Sequence, residues 1–180
     1  MMRSDITLVT GGARSGKSTF AEKLIQKRNL KQFYIATAEI LDEEMQLRIQ
    51  HHIKNRGDNW DTIEEPVYIA KIIKQISRQD NIILVDCLTL WLSNIMSEKK
   101  CLKTFFDDLT KVIMSAEGPI VLVTNEVGMG IVPSNFLARE FRDNAGRLNQ
   151  IIANLADNVY FLAAGLPIQL KKDGKGVTVL

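Results

Sequence analysis

The residues Gly11-Gly12-Ala13-Arg14-Ser15-Gly16-Lys17-Ser18 constrain this chain more than any other feature. They follow an apolar, β-branched run from Ile6 to Thr10 and open an amphipathic stretch, so the pattern G-x-x-x-x-G-K-[ST] stands where a strand gives way to a helix. Glycines let the main chain wrap around phosphate oxygens, and successive amides with a helix N-terminus attract the anion. Lys17 adds a point charge and Ser18 offers a hydroxyl to Mg2+. The glycines fall at 11, 12 and 16, so the dinucleotide fingerprint G-x-G-x-x-G is absent and a nucleoside triphosphate is the expected ligand.

The same alternation recurs along the chain. Apolar runs stand at 6–10, 32–38, 81–86, 119–126 and 158–164, and four of them are apolar almost throughout, as expected of strands buried on both faces. Helical patterns lie between them, at 17–28, about 42–56, 66–79, 88–97, 103–116 and about 134–156. The last is the clearest: Leu137, Phe141, Ala145, Leu148, Ile152 and Leu155 form one apolar stripe, with Pro133 and Ser134 marking its start. The end, IQLKKDGKGVTVL, reads as two short strands around a Lys-Asp-Gly-Lys-Gly turn that add an antiparallel edge. The fold class is therefore α/β, a mostly parallel sheet flanked by helices, in a single domain over 1–180.

Composition narrows the function. With 23 Lys+Arg against 21 Asp+Glu the net charge is +2, which argues against a dedicated nucleic-acid partner. No apolar run is long enough to enter and cross a bilayer, since even IILVDCLTLWL is broken by Asp86. Cys87 and Cys101 cannot make a disulfide framework, and their burial-prone contexts suggest reduced thiols; the expected location is the cytoplasm.

A triphosphate site needs a carboxylate near its metal, usually at the end of a neighbouring buried strand. Asp86 after IILV and Glu126 after IVLVTN both qualify, and Asp86 is the candidate for holding Mg2+ with Ser18; either could instead cap the following segment. A second constellation lies in DEEMQLRIQHHIKNR. On a helix Arg48, His52 and Arg56 share one face, whereas His51 points about 100° away. Two flanking cations disfavour the imidazolium, so His52 is biased toward the neutral, nucleophilic form, and the same arginines can hold phosphate oxygens. A plain solvated helix face is the competing reading.

From His52 onward the pattern is His52-x3-Arg56-x3-Trp60-x-Thr62-x-Glu64-x-Pro66. Together with GGARSGKS, YIATA, Asp42-x-Glu44-Met45, DCLTLWLSN, VTNEVGMGIVP and Arg139-x-Phe141-Arg142-Asp143-x-x-Gly146-x-x-Asn149-Gln150, it closely resembles the bifunctional adenosylcobinamide kinase / adenosylcobinamide-phosphate guanylyltransferase family of cobalamin synthesis, from Leu8 to about Pro167. The resemblance implies a P-loop NTPase with a RecA-like sheet that phosphorylates adenosylcobinamide with ATP or GTP. It then moves GMP from GTP onto adenosylcobinamide phosphate through a covalent GMP-histidine, releasing pyrophosphate. Carried over, the guanylylated histidine falls on His52. The nucleotide contacts fall on Gly11, Gly12, Ala13, Arg14, Ser15, Gly16, Lys17 and Ser18, on Ala36, Thr37 and Ala38, on Ile53, Lys54, Asn55 and Arg56, and on Glu64 and Asp86. Lys17 joins His52 as the catalytic pair, and a homo-oligomer, described as a trimer, is implied. The loop VGMGIVPSN lies beside the site, where it could meet the corrinoid or a neighbouring subunit.

Three rival readings remain at this level. A monofunctional small-molecule kinase explains Lys17 and Asp86 but leaves the histidine pattern idle. A GTP switch calls for N-K-x-D, where this chain has Thr124-Asn125-Glu126-Val127. A nucleic-acid ATPase is opposed by the small net charge.

Overall fold

A computed structural model describes residues 5–39 and 59–177. The parallel strands are β1 (Ile6–Gly11), β2 (Lys31–Ala36), β3 (Trp60–Glu64), β4 (Asn81–Asp86), β5 (Ile120–Val123) and β6 (Asn158–Ala163). The helices are α1 (Lys17–Gln26), α2 (Ile69–Ile76), α3 (Leu88–Ser97), α4 (Leu102–Met114) and α5 (Phe136–Leu155). Two antiparallel strands, β7 (Leu166–Lys172) and β8 (Lys175–Gly176), complete one eight-stranded sheet in the order β3-β2-β4-β5-β1-β6-β7-β8.

Why the central runs are apolar throughout is visible in the packing, because alternate residues face two cores. Ile6, Leu8, Ile35, Ile83, Val85, Ile120 and Leu122 face α2 to α5, whereas Val9, Tyr34, Ile82, Leu84, Val121 and Val123 face α1 through Ala21 and Ile25. Trp91 anchors the larger core and donates its indole N–H to the Val67 carbonyl at 2.7 Å, which seats the lead-in to α2 on α3.

Several boundaries differ from the sequence reading. β3 is a strand that hydropathy does not announce: it is an outer strand, mostly exposed, and Trp60-Asp61-Thr62-Ile63-Glu64 carries too few apolar residues. α5 starts one residue after Asn135, whose side chain accepts from the Ala138 N–H at 2.7 Å, so Asn135 and not Pro133 or Ser134 is the cap. Of the expected stripe, Ala145, Leu148 and Ile152 are buried, but Leu137 is 65% exposed because the first turn of α5 overhangs the core. Cys101 is exposed at the head of α4, against expectation, while Cys87 is buried. The antiparallel C-terminal edge is present and begins earlier than read, at Leu166, with tight turns at Ala164-Gly165 and Asp173-Gly174.

Candidate active site

All six parallel strands point their carboxyl ends to the same side of the sheet, and the candidate residues gather there. The phosphate loop joins β1 to α1. Gly11 has φ +149°, and a Cβ there would collide with the Leu162 carbonyl oxygen of β6; Gly16, at φ +92°, caps α1. Both glycines are thus demanded by backbone geometry, one by close approach and one by a left-handed turn.

Lys17 is only 7% exposed and folds back into the loop, its Nζ donating to the Gly12 carbonyl at 2.5 Å and to Ser15 Oγ at 3.4 Å. Burial lowers its pKa below the ordinary value, an effect partly opposed by the nearby Cys87 and Asp86 side chains. A bound phosphate would relieve that desolvation with charge, which is what a triphosphate brings. An open cavity of about 560 Å³ lies against Gly12, Ala13, Arg14 and Ser15, and is lined also by Glu126, Met129 and the end of β6.

Asp86 ends β4. In register, Ala36 pairs with both Glu64 and Asp86, and Asp86 pairs with Val123, which in turn pairs with Val9. One transverse row therefore carries Glu64, Ala36, Asp86, Val123 and Val9. At about 4.8 Å per strand, Asp86 lies roughly 10 Å from β1 and Glu64 roughly 19 Å from it. The first distance suits a carboxylate serving the metal beside a triphosphate; the second is too far for contact with that phosphate site. One Asp86 oxygen accepts from Tyr34 Oη at 3.0 Å, which orients the carboxylate.

Glu126, the other candidate, is committed elsewhere. Its carboxylate accepts from the Gly128 N–H at 2.6 Å and the Met129 N–H at 3.1 Å, so it shapes its own loop. Thr37 is 0% exposed and its hydroxyl is fully used: it donates to the Cys87 carbonyl and accepts from the Cys87 N–H, each at 2.7 Å. Its side chain is engaged by the Cys87 main chain, directly after Asp86, and so supports the site. Ala36 and Ala38 are half-buried at the end of β2, small enough to let a ligand reach the main chain. His52, Arg48, Ile53, Lys54, Asn55 and Arg56 lie outside the described residues, as does His51.

Sequence reasoning gave no role to four supporting side chains, Asn94, Tyr34, Asn149 and Thr89. Asn94 of α3 is buried and its Nδ2 donates to the Thr37 carbonyl at 2.8 Å and the Pro66 carbonyl at 3.0 Å, tying β2 and the segment after β3 to α3. Tyr34 holds Asp86. Asn149 of α5 accepts from Thr124 Oγ1 at 2.8 Å, while Thr89 Oγ1 accepts from the Asn125 N–H at 2.6 Å, fixing the chain as it leaves β5. The only advance signal was a polar residue in an otherwise apolar stretch, as at Asn94 within LTLWLSN.

Among the described residues no group of three or more His, Cys, Asp and Glu side chains is arranged to hold a metal by itself, and no helix is long and apolar enough to cross a membrane. Ser18 at the head of α1 and Asp86 at the end of β4 instead suit a magnesium ion that takes most of its ligands from phosphate and water.

Comparison with known proteins agrees with this geometry. Residues 7–170 match the family model described as cobinamide kinase / cobinamide phosphate guanyltransferase. The bifunctional adenosylcobalamin biosynthesis protein CobP of Pseudomonas aeruginosa is 42% identical over 166 residues, covering 91% of this chain and 96% of the relative. The corresponding CobU proteins of Salmonella typhimurium and Escherichia coli are 41% and 37% identical, each covering 91% of this chain and 98% of the relative. Among solved structures, the flagellar accessory protein FlaH of Methanocaldococcus jannaschii superposes with a TM-score of 0.52 at 13% identity, covering 98% of this chain and 83% of that one. A KaiC-like protein of Pyrococcus horikoshii gives 0.50 at 16%, covering 89% and 73%. These two likenesses establish the P-loop NTPase fold and nothing finer.

Proposed function

The chain belongs to the cobinamide kinase / cobinamide phosphate guanyltransferase family, an enzyme of cobalamin biosynthesis that performs both reactions, and on that premise we propose how its residues divide the work. The observation that carries the proposal is the transverse row at the carboxyl ends of the strands, with the phosphate loop at one position and Asp86 and Glu64 at successive distances from it.

In the first reaction the loop amides and Lys17 hold the triphosphate of ATP or GTP, and the hydroxyl of adenosylcobinamide attacks the γ-phosphorus. The new O–P bond forms as the bridge to the β-phosphate breaks, the diphosphate leaves, and the hydroxyl proton passes to solvent. Ser18 and Asp86 would hold Mg2+, whose chemistry is to neutralise triphosphate charge, while Tyr34 keeps the Asp86 carboxylate oriented.

In the second reaction the neutral His52 imidazole attacks the α-phosphorus of GTP and pyrophosphate leaves. The phosphate of adenosylcobinamide phosphate then displaces the imidazole, giving adenosyl-GDP-cobinamide and regenerating the histidine. Arg48 and Arg56 would stabilise charge at that phosphorus, with Ile53, Lys54 and Asn55 beside them, and Glu64 would take guanine or ribose donors. The roughly 19 Å between Glu64 and β1 supports a guanylyl site offset along the sheet from the kinase phosphates. The chain acts as one unit in the cytoplasm, as a homo-oligomer, on small-molecule substrates alone.

The test is to incubate the protein with Mg2+ and GTP labelled at the α-phosphate, denature it, and measure acid-labile, alkali-stable label on the chain. Label on the wild type and on His51→Ala, with none on His52→Ala, is the expected result. Absence of label on a wild type that binds GTP would remove the covalent step.

A further inference from the structure

The cavity at the phosphate loop has one wall that does not belong to nucleotide chemistry. Met129 and Gly130 line it, and from there the chain runs outward into a surface of unusual character: Met129 is 78% exposed, Ile131 98%, Val132 61%, Phe136 71% and Leu137 65%. No charged residue occurs from Val127 to Leu137 in a chain that is 24% charged. Scattered exposed apolar side chains call for no explanation, but a run of them bordering a ligand cavity does.

The run is fastened at both ends by polar contacts. At its start the Glu126 carboxylate takes the N–H groups of Gly128 and Met129, and the Glu126 N–H donates to the Gly11 carbonyl at 3.0 Å. At its end the Arg139 guanidinium donates to the carbonyls of Pro133 at 3.0 Å and Ser134 at 2.6 Å. Apolar side chains are thereby presented outward on a segment tied to the phosphate loop itself. A segment that simply failed to pack would carry no such ties.

Size decides what could cover it. About 560 Å³ accommodates the phosphate end of a nucleotide and the reacting arm of an acceptor, but not a corrin macrocycle as well. The ring must therefore rest outside the mouth while its hydroxyl arm reaches in. Its rim of methyl groups and uncharged amides matches an uncharged, largely apolar surface. We infer that the segment Met129–Val132, continued by Phe136 and Leu137, is the docking surface for the corrin ring of the acceptor in the kinase reaction. The inference rests on the family's cobinamide kinase activity and adds where the acceptor sits.

The test titrates adenosylcobinamide into protein holding a non-hydrolysable ATP analogue, using the double variant Ile131→Ser/Val132→Ser. Leu170→Ser, 45% exposed on β7, is the control. Both altered side chains of the double variant are more exposed than buried, so the core is untouched. The corrinoid Kd is expected to rise about tenfold or more in the double variant, with the ATP-analogue Kd and the control unchanged. An unchanged corrinoid Kd would overturn the proposal. So would a rise that vanishes at protein concentrations restoring the wild-type sedimentation mass, because the surface would then be an interface between copies. Phosphorylation by the wild type is followed in parallel: binding without turnover would count against the kinase reading while the Kd comparison still judges the docking surface.

Discussion

Replacing Thr37 with valine keeps the volume of a fully buried side chain and removes only its hydroxyl, which makes it a sharp probe of the turn that carries Asp86. Two hydrogen bonds of 2.7 Å disappear. The Cys87 carbonyl keeps a partner, the Trp91 N–H at 3.1 Å, so its loss is one bond of about 0.5–1.5 kcal/mol. The Cys87 N–H loses its hydroxyl acceptor inside a buried turn, at about 1–3 kcal/mol. The sum is about 1.5–4.5 kcal/mol, or a Tm lower by roughly 3–18 °C for a chain of this size. Thr37→Ser keeps both bonds and loses a methyl group, about 1 kcal/mol. Urea unfolding followed by tryptophan fluorescence, with Trp91 as the buried reporter, should rank wild type, serine and valine in that order with a common m-value. The kinase kcat of the valine variant should fall about tenfold or more, with a smaller change in the KM for ATP, because the Asp86 carboxylate is displaced and the phosphate loop is not. A valine variant as stable and as active as the serine variant would refute the assignment of Thr37 as the clamp behind Asp86.

Lys17→Met should lower nucleotide affinity about 100-fold or more in calorimetric titration while leaving Tm unchanged or slightly higher, because burial already disfavours the ammonium. Gly11→Ala places a Cβ against the Leu162 carbonyl at a φ of +149°, so it should lower the urea midpoint markedly and cut nucleotide binding together with it. With a thiol-reactive disulfide at neutral pH, Cys101 should titrate promptly, since it is exposed and its pKa is lowered by hydrogen bonding from Thr104. Cys87, with its pKa pushed up to about 11 by burial, should react only on unfolding, and one equivalent released from native protein against two from denatured protein is the expected count.

How far the fold could be read in advance depended on how many faces each segment buries. β1, β4 and β5 are enclosed on both sides, and runs such as Ile6–Val9, Ile82–Val85 and Ile120–Val123, interrupted only by Thr7, leave little else to propose. β3 is an outer strand whose partner on one side is β2 alone, so its residues carry no comparable pattern, and it was legible only as part of a longer motif. The helical stripe of α5 was right in period, yet period cannot tell that the turn bearing Leu137 extends past the core. At the site, the phosphate loop was legible because its glycines and lysine are each required by one local geometry. Asp86 was legible because a carboxylate ends a buried strand. Thr37 and Asn94 were not, because their partners are main-chain groups 50 and 57 residues away, and nothing in a single sequence marks a side chain for such a distant bond. Glu126 shows the converse: a carboxylate at a strand end that serves its own loop.

The position of β1 between β5 and β6 has a consequence for biosynthesis. Its in-sheet neighbours begin at Ile120 and Asn158, so β1, translated ahead of every other described strand, is among the last of them to gain a place in the sheet. At about 5–20 residues per second, Ile6 to Gly11 must wait roughly 5–20 s before even β5 has been translated. During that interval an apolar strand followed by an unformed glycine loop has no pairing partner, while β2 and β4 can already join. The ability to hold a nucleotide therefore arrives late, and nascent chains should be exposed to misassociation until β5 and β6 have emerged.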